Sequence, residues 1–314
     1  MIDTRVDAAQ MPKRRLSLRR RRPRDPVYDM PESRDELSLF PPDYSLQPPT
    51  VTVVIPALNE ARNLPYVFAK LPDGLHEVII VDGNSVDDTV ATARRLRPDV
   101  RVVTQNRSGK GNALACGFAA ATGDIVVMVD ADGSADPAEI PQFIKALLDG
   151  ADFAKGSRFA DGGGSCDITR LRRLGNRLLS GLVNILCRTH YSDLCYGYNA
   201  FWRRHVPLFG LDAETDIPVG GGARLWGDGF EVETLINIRI AQAELIVAEI
   251  ASYEHSRIHG VSNLDAASDG WRVLRTILAE RYYYRRRTAA RKRKSRGLLR
   301  HQRTTASESA NHAQ

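Results

Sequence analysis

The sequence has few cysteines and no long apolar run. Its 314 residues include 4 cysteines, and no two of them form the C-x-x-C pair typical of zinc and redox sites. They are Cys116, Cys166, Cys187 and Cys195. This spacing excludes a dense disulfide framework, so we expect reduced thiols and a cytoplasmic protein. Because no apolar run approaches about 18 residues, we also expect neither a transmembrane helix nor a signal peptide.

Two familiar phosphate-binding loops are also missing. No G-x-G-x-x-G follows the first predicted strand, and no Walker loop with its lysine occurs in the chain. Dinucleotide-dependent dehydrogenases and P-loop NTPases bind their phosphates through these loops, so both classes are disfavoured. Any nucleotide-binding function must therefore depend on other residues.

The excess positive charge is confined to two segments near the ends of the chain. Residues 13–24 carry eight Lys or Arg and residues 281–300 carry ten, and neither segment contains an acid. Outside them, 26 basic residues stand against 38 acidic ones. An acidic body argues against a nucleic-acid groove within the fold. The basic segments fit an anionic membrane surface, RNA, acidic partners or solvated tails.

Strands and helices alternate through the first half of the chain. Apolar, β-branched runs predict strands, and the segments between them have helical character. The predicted strands are 51–55, 77–81, 100–103 and 124–129, and the predicted helices are 59–69, 87–96 and 110–121. This alternation predicts an α/β fold with a mostly parallel sheet flanked by helices. Before it, the many prolines of residues 1–50 predict a disordered arm.

The second half is less regular, and one of its helices has two interpretations. The predicted elements are helices at 137–148, 171–187, 231–243 and 271–284, with strands at 151–154 and 246–250. One face of the helix at 171–187 carries Leu171, Leu174, Leu178, Leu182 and Ile185. Such a face usually packs into the core, which is the expectation here. The alternative is a helix that lies on a membrane surface.

Two carboxylates follow the apolar run that ends at Val129. Asp130 and Asp132 are two residues apart, so they point to the same side of an extended segment. At the carboxyl end of a parallel strand, such a pair can hold a divalent cation and, through it, phosphate oxygens. The alternative is a turn without a ligand, because Asp-Gly and Ser-Ala-Asp-Pro sequences favour turns.

Polar residues follow each of the four predicted strands in the first half. The four segments are Pro56 to Glu60, Asp82 to Asp87, Gln105 to Gly111 and Asp130 to Asp132. Ligands collect at such strand ends in parallel α/β sheets. Each segment also has a structural alternative, since Asn59 and Asp87 can cap helices and Gly109 and Gly111 can form a turn. Their joint occurrence favours a nucleotide site with a metal.

These segments resemble the motifs of family 2 glycosyltransferases in order and spacing. The resemblance is carried by residues 53–60, 81–89, 110–111 and 130–132, and by 155–159, 193–201 and 228–233. The last three are similar to segments of the polyprenyl-phosphate (dolichol-phosphate mannose or glucose) synthases. The resemblance implies one GT-A, Rossmann-like catalytic domain over residues 51–280, between the disordered arm 1–50 and a basic tail at 281–314.

The implied activity is the transfer of a hexose from a GDP- or UDP-sugar, with inversion, to an acceptor. The expected acceptor is a polyprenyl phosphate at the inner face of a membrane, where the basic tails would bind anionic lipid. The implied cofactor is Mg²⁺ or Mn²⁺, held by Asp130, Asp132 and Ser134. The implied nucleotide-sugar-binding residues are Pro56, Asn59, Glu60, Asp82, Lys110 and Asp130.

The implied reaction is a single displacement at the anomeric carbon. A divalent cation, helped by basic side chains, would stabilise the charge of the leaving group, and Arg158 would meet phosphate charge near the reacting centre. A lipid phosphate is already anionic, whereas a hydroxyl acceptor would need a base. Asp193, Asp228 and Glu231 are candidates for that base. The structural alternative is a turn or cap for Asp193 and a solvated helix face for Glu231 and Glu233.

The segment 255–263 offers residues for the acceptor side of the site. Arg257 and Ser262 are the predicted acceptor-binding residues, because a cation and a small hydroxyl donor suit a phosphate group. His255 and His259 lie in the same segment, where lone histidines are more often structural.

Other functions remain open on sequence grounds. One is a family 2 glycosyltransferase that acts on a soluble or saccharide hydroxyl. Another is a sugar nucleotidyltransferase, although the segment Pro56 to Glu60 lacks the Gly-rich, basic phosphate loop of such enzymes. A third is a non-catalytic protein that binds RNA or acidic surfaces through its tails, although we expect no specific nucleic acid.

Overall fold

A computed structural model describes residues 27–28, 48–215, 225–260 and 268–286. Most of the predicted arm at 1–50 and most of the predicted basic tail at 281–314 lie outside the described residues. Among the residues that are described, no helix is both long and apolar enough to cross a membrane.

A mixed sheet forms the centre of the fold. Its strands are β1 (Val27–Tyr28), β2 (Val51–Ala57), β3 (Glu77–Asp82), β4 (Arg101–Thr104), β5 (Ile125–Met128), β6 (Phe153–Ser157), β8 (Asn199–Trp202) and β9 (Val247–Ala251). The two remaining strands, β7 (Gly164–Ser165) and β10 (Tyr253–Glu254), pair in parallel as a separate ribbon. The order across the main sheet is β1-β9-β6-β8-β5-β2-β3-β4. Only β8 runs antiparallel to its described neighbours, so the predicted mostly parallel sheet is confirmed.

Most helices occur where the sequence predicts them, but the short helix at 206–209 is not predicted, and one predicted helix is much shorter than expected. They are α1 (Leu64–Phe68), α2 (Thr89–Leu96), α3 (Lys110–Ala120), α4 (Ile140–Leu148), α5 (Arg170–Cys187), α6 (Val206–Phe209) and α7 (Val232–Gln242), followed by a helical segment at 268–286. The prediction of a helix from residue 59 is wrong, because α1 begins at Leu64. Asn59 has a φ of 58°, in the left-handed region that a right-handed helix cannot include.

Successive residues of the central strands pack against helices on opposite faces of the sheet. On one face, Val53 belongs to the apolar cluster that includes Phe143 of α4. On the other, Val54 belongs to the cluster that includes Leu114 of α3 and Ile236 of α7. Side chains alternate along a strand, so a strand covered on both faces is apolar throughout. The apolar runs read from the sequence therefore mark the buried middle of the sheet.

Helix α5 turns its apolar face away from the protein. Its buried residues are Asn176, Ser180 and Val183. Asn176 Oδ1 accepts a hydrogen bond from the backbone N–H of Cys195, and Ser180 Oγ accepts one from that of Leu194, both at 3.1 Å. The exposed fractions on the other side are 71% for Leu171, 55% for Leu174, 65% for Leu178 and 79% for Ile185. We call these four side chains the apolar face of α5.

The expectation that this face packs into the core is therefore wrong. Of the five predicted side chains only Leu182 is partly buried, against the small cluster around Val183 and Ile238. The backbone N–H groups of the loop at 194–195 need acceptors, and the polar side chains of α5 supply them. These hydrogen bonds, together with the packing of Leu179, Val183 and Leu186 in the same small cluster, hold this side of the helix against the protein.

Candidate active site

A large cavity opens at the carboxyl ends of β2, β5 and β6. Its volume is about 1110 Å³. The residues that follow these strands form one wall, through Pro56, Glu60, Asp130, Asp132, Ser134 and Arg158. Helix α5 and the segment 268–286 form another, through Leu171, Arg172, Asn176, Leu179, Arg272 and Val273. The edge of the sheet that the sequence singled out therefore borders a space of ligand size.

Asp130 and Asp132 reach the cavity from a turn after β5. Asp132 Oδ1 accepts a hydrogen bond from the backbone N–H of Ser134 at 2.9 Å, and Oδ2 lies 2.9 Å from Arg257 Nη2. Asp130 Oδ1 lies 2.7 Å from Lys110 Nζ. The side chain of Asp130 is 34% exposed and that of Asp132 13%. The segment does form a turn, and that turn holds both carboxylates at the cavity.

Lys110, the first residue of α3, lies between two acids. Its Nζ is 2.7 Å from Asp130 Oδ1 and 2.8 Å from Glu233 Oε1. Burial alone would lower the pKa of Lys110, but Asp130 and Glu233 raise it above its ordinary value. Burial raises the pKa of the Glu233 carboxyl, an effect that Lys110 opposes. The amine therefore stays charged and can neutralise phosphate in the cavity.

Arg257 joins the ends of two strands. Its Nη1 lies 3.2 Å from Glu60 Oε1, beyond β2, and its Nη2 contacts Asp132, beyond β5. Burial raises the pKa of Glu60, while the Asn63 side chain and Arg257 oppose this shift. The predicted acceptor residue thus lies beside predicted donor residues. Ser262, the other predicted acceptor residue, lies outside the described residues.

The carboxylate cluster suits a divalent cation in charge and in donor atoms. Its members are Glu60, Asp130, Asp132 and Glu233, paired with Lys110 and Arg257, so the acids exceed the cations by two. Across the described residues, no group of three or more His, Cys, Asp or Glu side chains surrounds one metal position. Mg²⁺ commonly takes one or two carboxylates and completes its shell with water and substrate phosphates. Asp130 and Asp132 match that requirement.

Arg158 is held rigidly at the wall of the cavity. Its Nε lies 2.7 Å from Asp193 Oδ2, and its Nη1 lies 3.0 Å from Glu254 Oε1. Its guanidinium carbon lies 4.9 Å from the centre of the Tyr196 ring. Burial alone would lower the pKa of Arg158, but Asp193 and Glu254 raise it. A fixed arginine of this kind can recognise a phosphate.

The three predicted base candidates do not line the cavity. Asp193 is fully buried and binds Arg158; burial would raise its pKa, but Arg158 holds it below the ordinary value. Both carboxylate oxygens of Asp228 accept hydrogen bonds from Arg107, at 2.9 and 3.0 Å. Glu231 accepts one from the backbone N–H of Gly229 at 3.3 Å, just before α7. In each case the carboxylate is engaged within the protein.

Two predicted nucleotide-binding residues connect strand-end loops and do not themselves line the cavity. Asn59 Oδ1 accepts a hydrogen bond from the backbone N–H of Val86 at 2.8 Å. Asp82 is buried, and both of its oxygens accept from the backbone N–H of Ser85, at 3.2 and 3.3 Å. These contacts shape the loop after β3, next to Pro56 and Glu60 at the cavity wall.

The predicted loop with Gly109 and Gly111 makes a close backbone approach. Gly111 N–H donates to the carbonyl of Asp228 at 2.8 Å. A Cβ at Gly111 would lie 1.7 Å from the carbonyl oxygen of Gly227, and Gly109 has a φ of 123°. Both positions therefore require glycine. The approach brings the start of α3, with Lys110, against the start of α7, with Glu233.

The histidines of the segment after β10 have structural contacts. The backbone N–H of His255 donates to the carbonyl of Ser134 at 2.8 Å, and the carbonyl of His259 accepts from Asn63 Nδ2 at 3.2 Å. Neither histidine lines the cavity. These contacts favour the structural interpretation and tie the segment to the turn after β5.

Sequence reasoning missed several residues of the cavity wall. A solvated helix face is one sequence-based expectation for Glu233, yet its side chain lies inside the protein, and the residue is only 5% exposed. Helix α7 is apolar on all sides, and that pattern indicates a buried helix whose acid needs a partner. Tyr196 and Arg172 also line the cavity. Tyr196 belongs to the segment 193–201, and nothing in the sequence distinguishes Arg172 from the other arginines of its helix.

The known sequences that this chain resembles are named as glycosyltransferases or as a mannosyltransferase. Residues 52–206 match the model of the family "Glycosyl transferase family 2". An uncharacterized glycosyltransferase of Mycobacterium tuberculosis is 44% identical over 108 residues, which are 34% of this chain and 48% of the relative, so the match spans about half of that relative's length. Glycosyltransferase AglJ of Haloferax volcanii is 30% identical over 232 residues, 71% of this chain and 69% of AglJ. A dolichol-phosphate mannosyltransferase of Pyrococcus furiosus is 37% identical over 120 residues, 36% of this chain and 34% of the relative.

Solved structures support the same fold. Glucosyl-3-phosphoglycerate synthase of Mycobacterium tuberculosis, in complex with Mn²⁺, UDP and glucosyl-3-phosphoglycerate, superposes with a TM-score of 0.55 at 26% identity. The superposition covers 74% of this chain and 80% of that one. The same synthase with Mg²⁺ and UDP gives a TM-score of 0.59 over 82% and 86% of the two chains, at 24% identity.

Proposed function

The chain belongs to glycosyltransferase family 2, and on that premise we propose that it transfers a hexose from a UDP- or GDP-sugar, with inversion, to a polyprenyl phosphate at a membrane surface. Family membership favours transfer over the synthesis of a nucleotide-sugar or a purely tail-driven binding function. The position of the cavity at the strand ends of an α/β sheet also fits a nucleotide-sugar donor.

The donor would lie beside the acidic cluster. Asp130 and Asp132, with Ser134 in the same turn, would hold Mg²⁺ or Mn²⁺, which supplies a positive charge to the diphosphate when it is bound. The structural relatives were crystallised with these metals and UDP. Arg257, 2.9 Å from Asp132 Oδ2, would share this carboxylate with the metal and add a second positive charge beside it. Pro56 and Glu60 would flank the nucleotide.

Two fixed cations would act on the reacting groups. Lys110, held by Asp130 and Glu233, would face the developing charge of the leaving diphosphate. Arg158, held by Asp193 and Glu254, would orient an acceptor phosphate. Because both are already held by other side chains, little reorganisation is needed when charge develops in the transition state.

An anionic acceptor would need none of the three predicted base candidates. A hydroxyl acceptor needs a group that takes its proton, whereas a phosphate oxygen is already ionised. The candidates Asp193, Asp228 and Glu231 do not line the cavity and are engaged elsewhere. The positions of these three carboxylates are therefore compatible with a phosphate acceptor.

The observation that carries the lipid assignment is the apolar face of α5. Leu171 belongs both to this exposed face and to the cavity wall, so an apolar surface continues into the site. The exposed arginines Arg170, Arg173 and Arg177 lie on the same helix. The neighbouring segment 268–286 exposes Trp271, Leu278 and Tyr282, and it contributes Arg272 to the cavity wall.

Such surfaces fit an anionic bilayer. Fully burying one leucine side chain contributes about 1.5–3 kcal/mol, and each basic residue near anionic lipid about 1 kcal/mol. Arginines beside an exposed apolar stripe are typical of helices that lie in a membrane interface. A lipid phosphate held in that interface would reach the cavity between α5 and the segment 268–286.

A second candidate is a small, soluble phosphorylated acceptor. The structural relative with 26% identity binds glucosyl-3-phosphoglycerate, and several arginines line the cavity here: Arg158, Arg172, Arg257 and Arg272. A soluble acceptor would leave the apolar face of α5 without a role. The lipid is therefore the preferred acceptor.

A transfer assay with three acceptors tests the proposal. The full chain, Mn²⁺ and radiolabelled UDP- or GDP-hexoses would be incubated with polyprenyl phosphate in anionic vesicles, with 3-phosphoglycerate, or with an oligosaccharide. We expect labelled lipid only. Label in phosphoglycerate or in the oligosaccharide would replace the lipid assignment, and no transfer from any donor would refute the function.

A matched pair of variants tests the role of α5. Leu174→Glu combined with Leu178→Glu should reduce vesicle binding and lipid transfer together by about tenfold or more. Val86→Glu is the control, because Val86 is 92% exposed on the loop after β3. Equal effects of both variants would contradict the role of α5.

A further inference from the structure

Glu139 is a buried carboxyl group next to the site that the proposed transfer does not use. It is 1% exposed and lies just before α4. Its Oε1 accepts a hydrogen bond from the backbone N–H of Tyr253 at 3.0 Å, and its Oε2 accepts one from the hydroxyl of Ser252 at 2.5 Å. Glu139 therefore binds the chain where β9 passes into β10.

A short chain of hydroxyl groups connects Glu139 to the cavity. Ser252 Oγ lies 2.9 Å from the hydroxyl of Tyr196. Tyr196 lines the cavity, and Arg158 lies over its ring. Two side chains, Ser252 and Tyr196, thus link a buried acid to the cation that we assign to the acceptor phosphate.

The charged and titratable groups around this chain come from several elements. Asp136 precedes Glu139 and pairs with Lys70, beyond α1, at 3.1 Å. Tyr198 donates to the carbonyl of Asp136 at 3.0 Å. Glu254 of β10 faces Tyr196 and Arg158 from the other side. Lys70 lowers the pKa of Glu139 but is paired with Asp136, and no salt bridge to Glu139 occurs among the described residues, so hydrogen bonds are its direct contacts.

We propose that Glu139 is a positioning residue of the transfer site, and that gain or loss of its proton reverses the hydrogen bonds through Ser252 to Tyr196 beneath Arg158. This inference depends on the proposed function, because it concerns the acceptor side of the same cavity.

Each protonation state has a defined direction of donation. When Glu139 is ionised, Tyr196 donates to Ser252, and Ser252 donates to Glu139 Oε2. When Glu139 carries a proton, it donates to Ser252, and Ser252 donates to Tyr196, whose own proton is then no longer donated to Ser252. A hydrogen bond to a charged group is roughly twice as strong as a neutral one, so the ionised carboxylate holds the Ser252 hydroxyl more firmly and, through it, the direction of the Tyr196 hydroxyl.

The pKa of Glu139 lies in a pH range where both protonation states can be populated. Burial raises the pKa of Glu139 to about 7, against the hydrogen bonds of Ser252 and Tyr253, which lower it. Proton gain and loss therefore both take place within the pH range in which a transfer assay can be run.

The connection can be tested without donor or acceptor. The full chain would be labelled with ¹³C at tyrosine Cζ, whose chemical shift responds to hydrogen bonding of the hydroxyl. The Tyr196 signal, assigned by its loss in Tyr196→Phe, should move with a midpoint near pH 7 and stay fixed in Glu139→Gln. A Tyr196 signal that does not follow Glu139 would overturn the connection, whatever the enzyme transfers.

The positioning role is tested by the pH profile of transfer. In the wild type, kcat/KM for polyprenyl phosphate should rise about tenfold from pH 6 to pH 8. In Glu139→Gln, the side-chain amide donates to Ser252 at every pH, as the protonated acid does. This variant should therefore keep the low-pH value at all pH values, and a rise like that of the wild type would refute the role.

Two further variants separate positioning from general damage to the fold. Glu139→Gln should have no additional effect on the profile in a Tyr196→Phe background if it acts through that tyrosine. Glu249→Gln is the matched control, because Glu249 is a partly buried acid whose pKa is also raised by burial and which accepts from the backbone N–H of Ser192 instead. If Glu249→Gln also removed the rise of kcat/KM with pH, the role would not be specific to Glu139. Absence of transfer in the wild type would refute the proposed function and leave the tyrosine titration to be judged separately.

Discussion

The two sides of the cavity are built in different ways. The donor side consists mainly of short segments that follow β2, β4 and β5, and its charged groups pair with one another through Lys110 and Arg257. The acceptor side consists of helices, α5 and 268–286, that leave apolar side chains in solvent. The charged groups of the donor side therefore already have partners within the protein, apart from an excess of negative charge. The other side leaves an apolar surface that only a further surface can cover.

This difference predicts separable defects. Changes on the donor side should affect nucleotide and metal binding without affecting membrane binding. Changes to the apolar face of α5 should do the reverse. Variants at the boundary, where Arg158 and Glu139 lie, should affect the fold or the coupling between the two sides.

The largest effect is expected from removal of Arg158. Arg158→Met removes the cation that contacts the fully buried Asp193, leaving only the longer-range effect of Lys155, and should destabilise the protein by about 3 kcal/mol or more. Chemical denaturation followed by circular dichroism would measure the loss. The double variant Arg158→Met, Asp193→Leu should recover part of it. A single variant as stable as the wild type would show that the pair is dispensable.

The next effect concerns the metal and the donor. Asp132→Asn should reduce transfer by about 10²–10³-fold, because the amide cannot supply the charge that a divalent cation requires. Titration calorimetry with Mn²⁺ and UDP should show the same loss, while vesicle binding stays at the wild-type level. Asp152→Asn, at a carboxylate that binds His205 away from the cavity, is the control.

A pH-dependent stability effect of up to about 3 kcal/mol is expected from Glu139. Its pKa is about 7 in the folded protein, above its ordinary value of 4.5. The folded state therefore binds a proton that the unfolded chain releases, and stability falls as pH rises from 4.5 to 7. The glutamine of Glu139→Gln does not titrate, so the stability of this variant relative to the wild type should rise as pH rises from 4.5 to 7. A difference in unfolding free energy that is constant with pH would contradict the assignment.

The smallest effect is expected from the arginines of α5. Arg173→Gln with Arg177→Gln should weaken binding to anionic vesicles by about 30-fold and reduce its dependence on salt. Binding to neutral vesicles should change little, because the apolar face of α5 remains. Flotation assays with anionic and with neutral vesicles, each at two salt concentrations, would measure the binding and its dependence on salt. An equal loss on neutral vesicles would show that the arginines support the helix and do not bind lipid.

The donor side could largely be predicted from the sequence. The apolar run before Asp130 marks a buried strand, and a parallel sheet brings strand ends to one edge. The acids Asp130 and Asp132 line the cavity as expected, although the partners of each, Lys110 and Arg257, come from distant parts of the chain. The left-handed conformation of Asn59, which shortens α1, has no clear signal in a helical pattern.

The sequence alone determined the α/β alternation, the sites of its turns and the chemistry of the strand ends, because burial and backbone geometry constrain local patterns strongly. Only the tertiary structure decided which side of α5 faces inward, since that depends on backbone donors at Leu194 and Cys195. It also decided that Asp193 and Asp228 serve arginines inside the protein and that Glu233 faces the cavity. Pairings between residues far apart in the chain depend on distances that no local pattern contains.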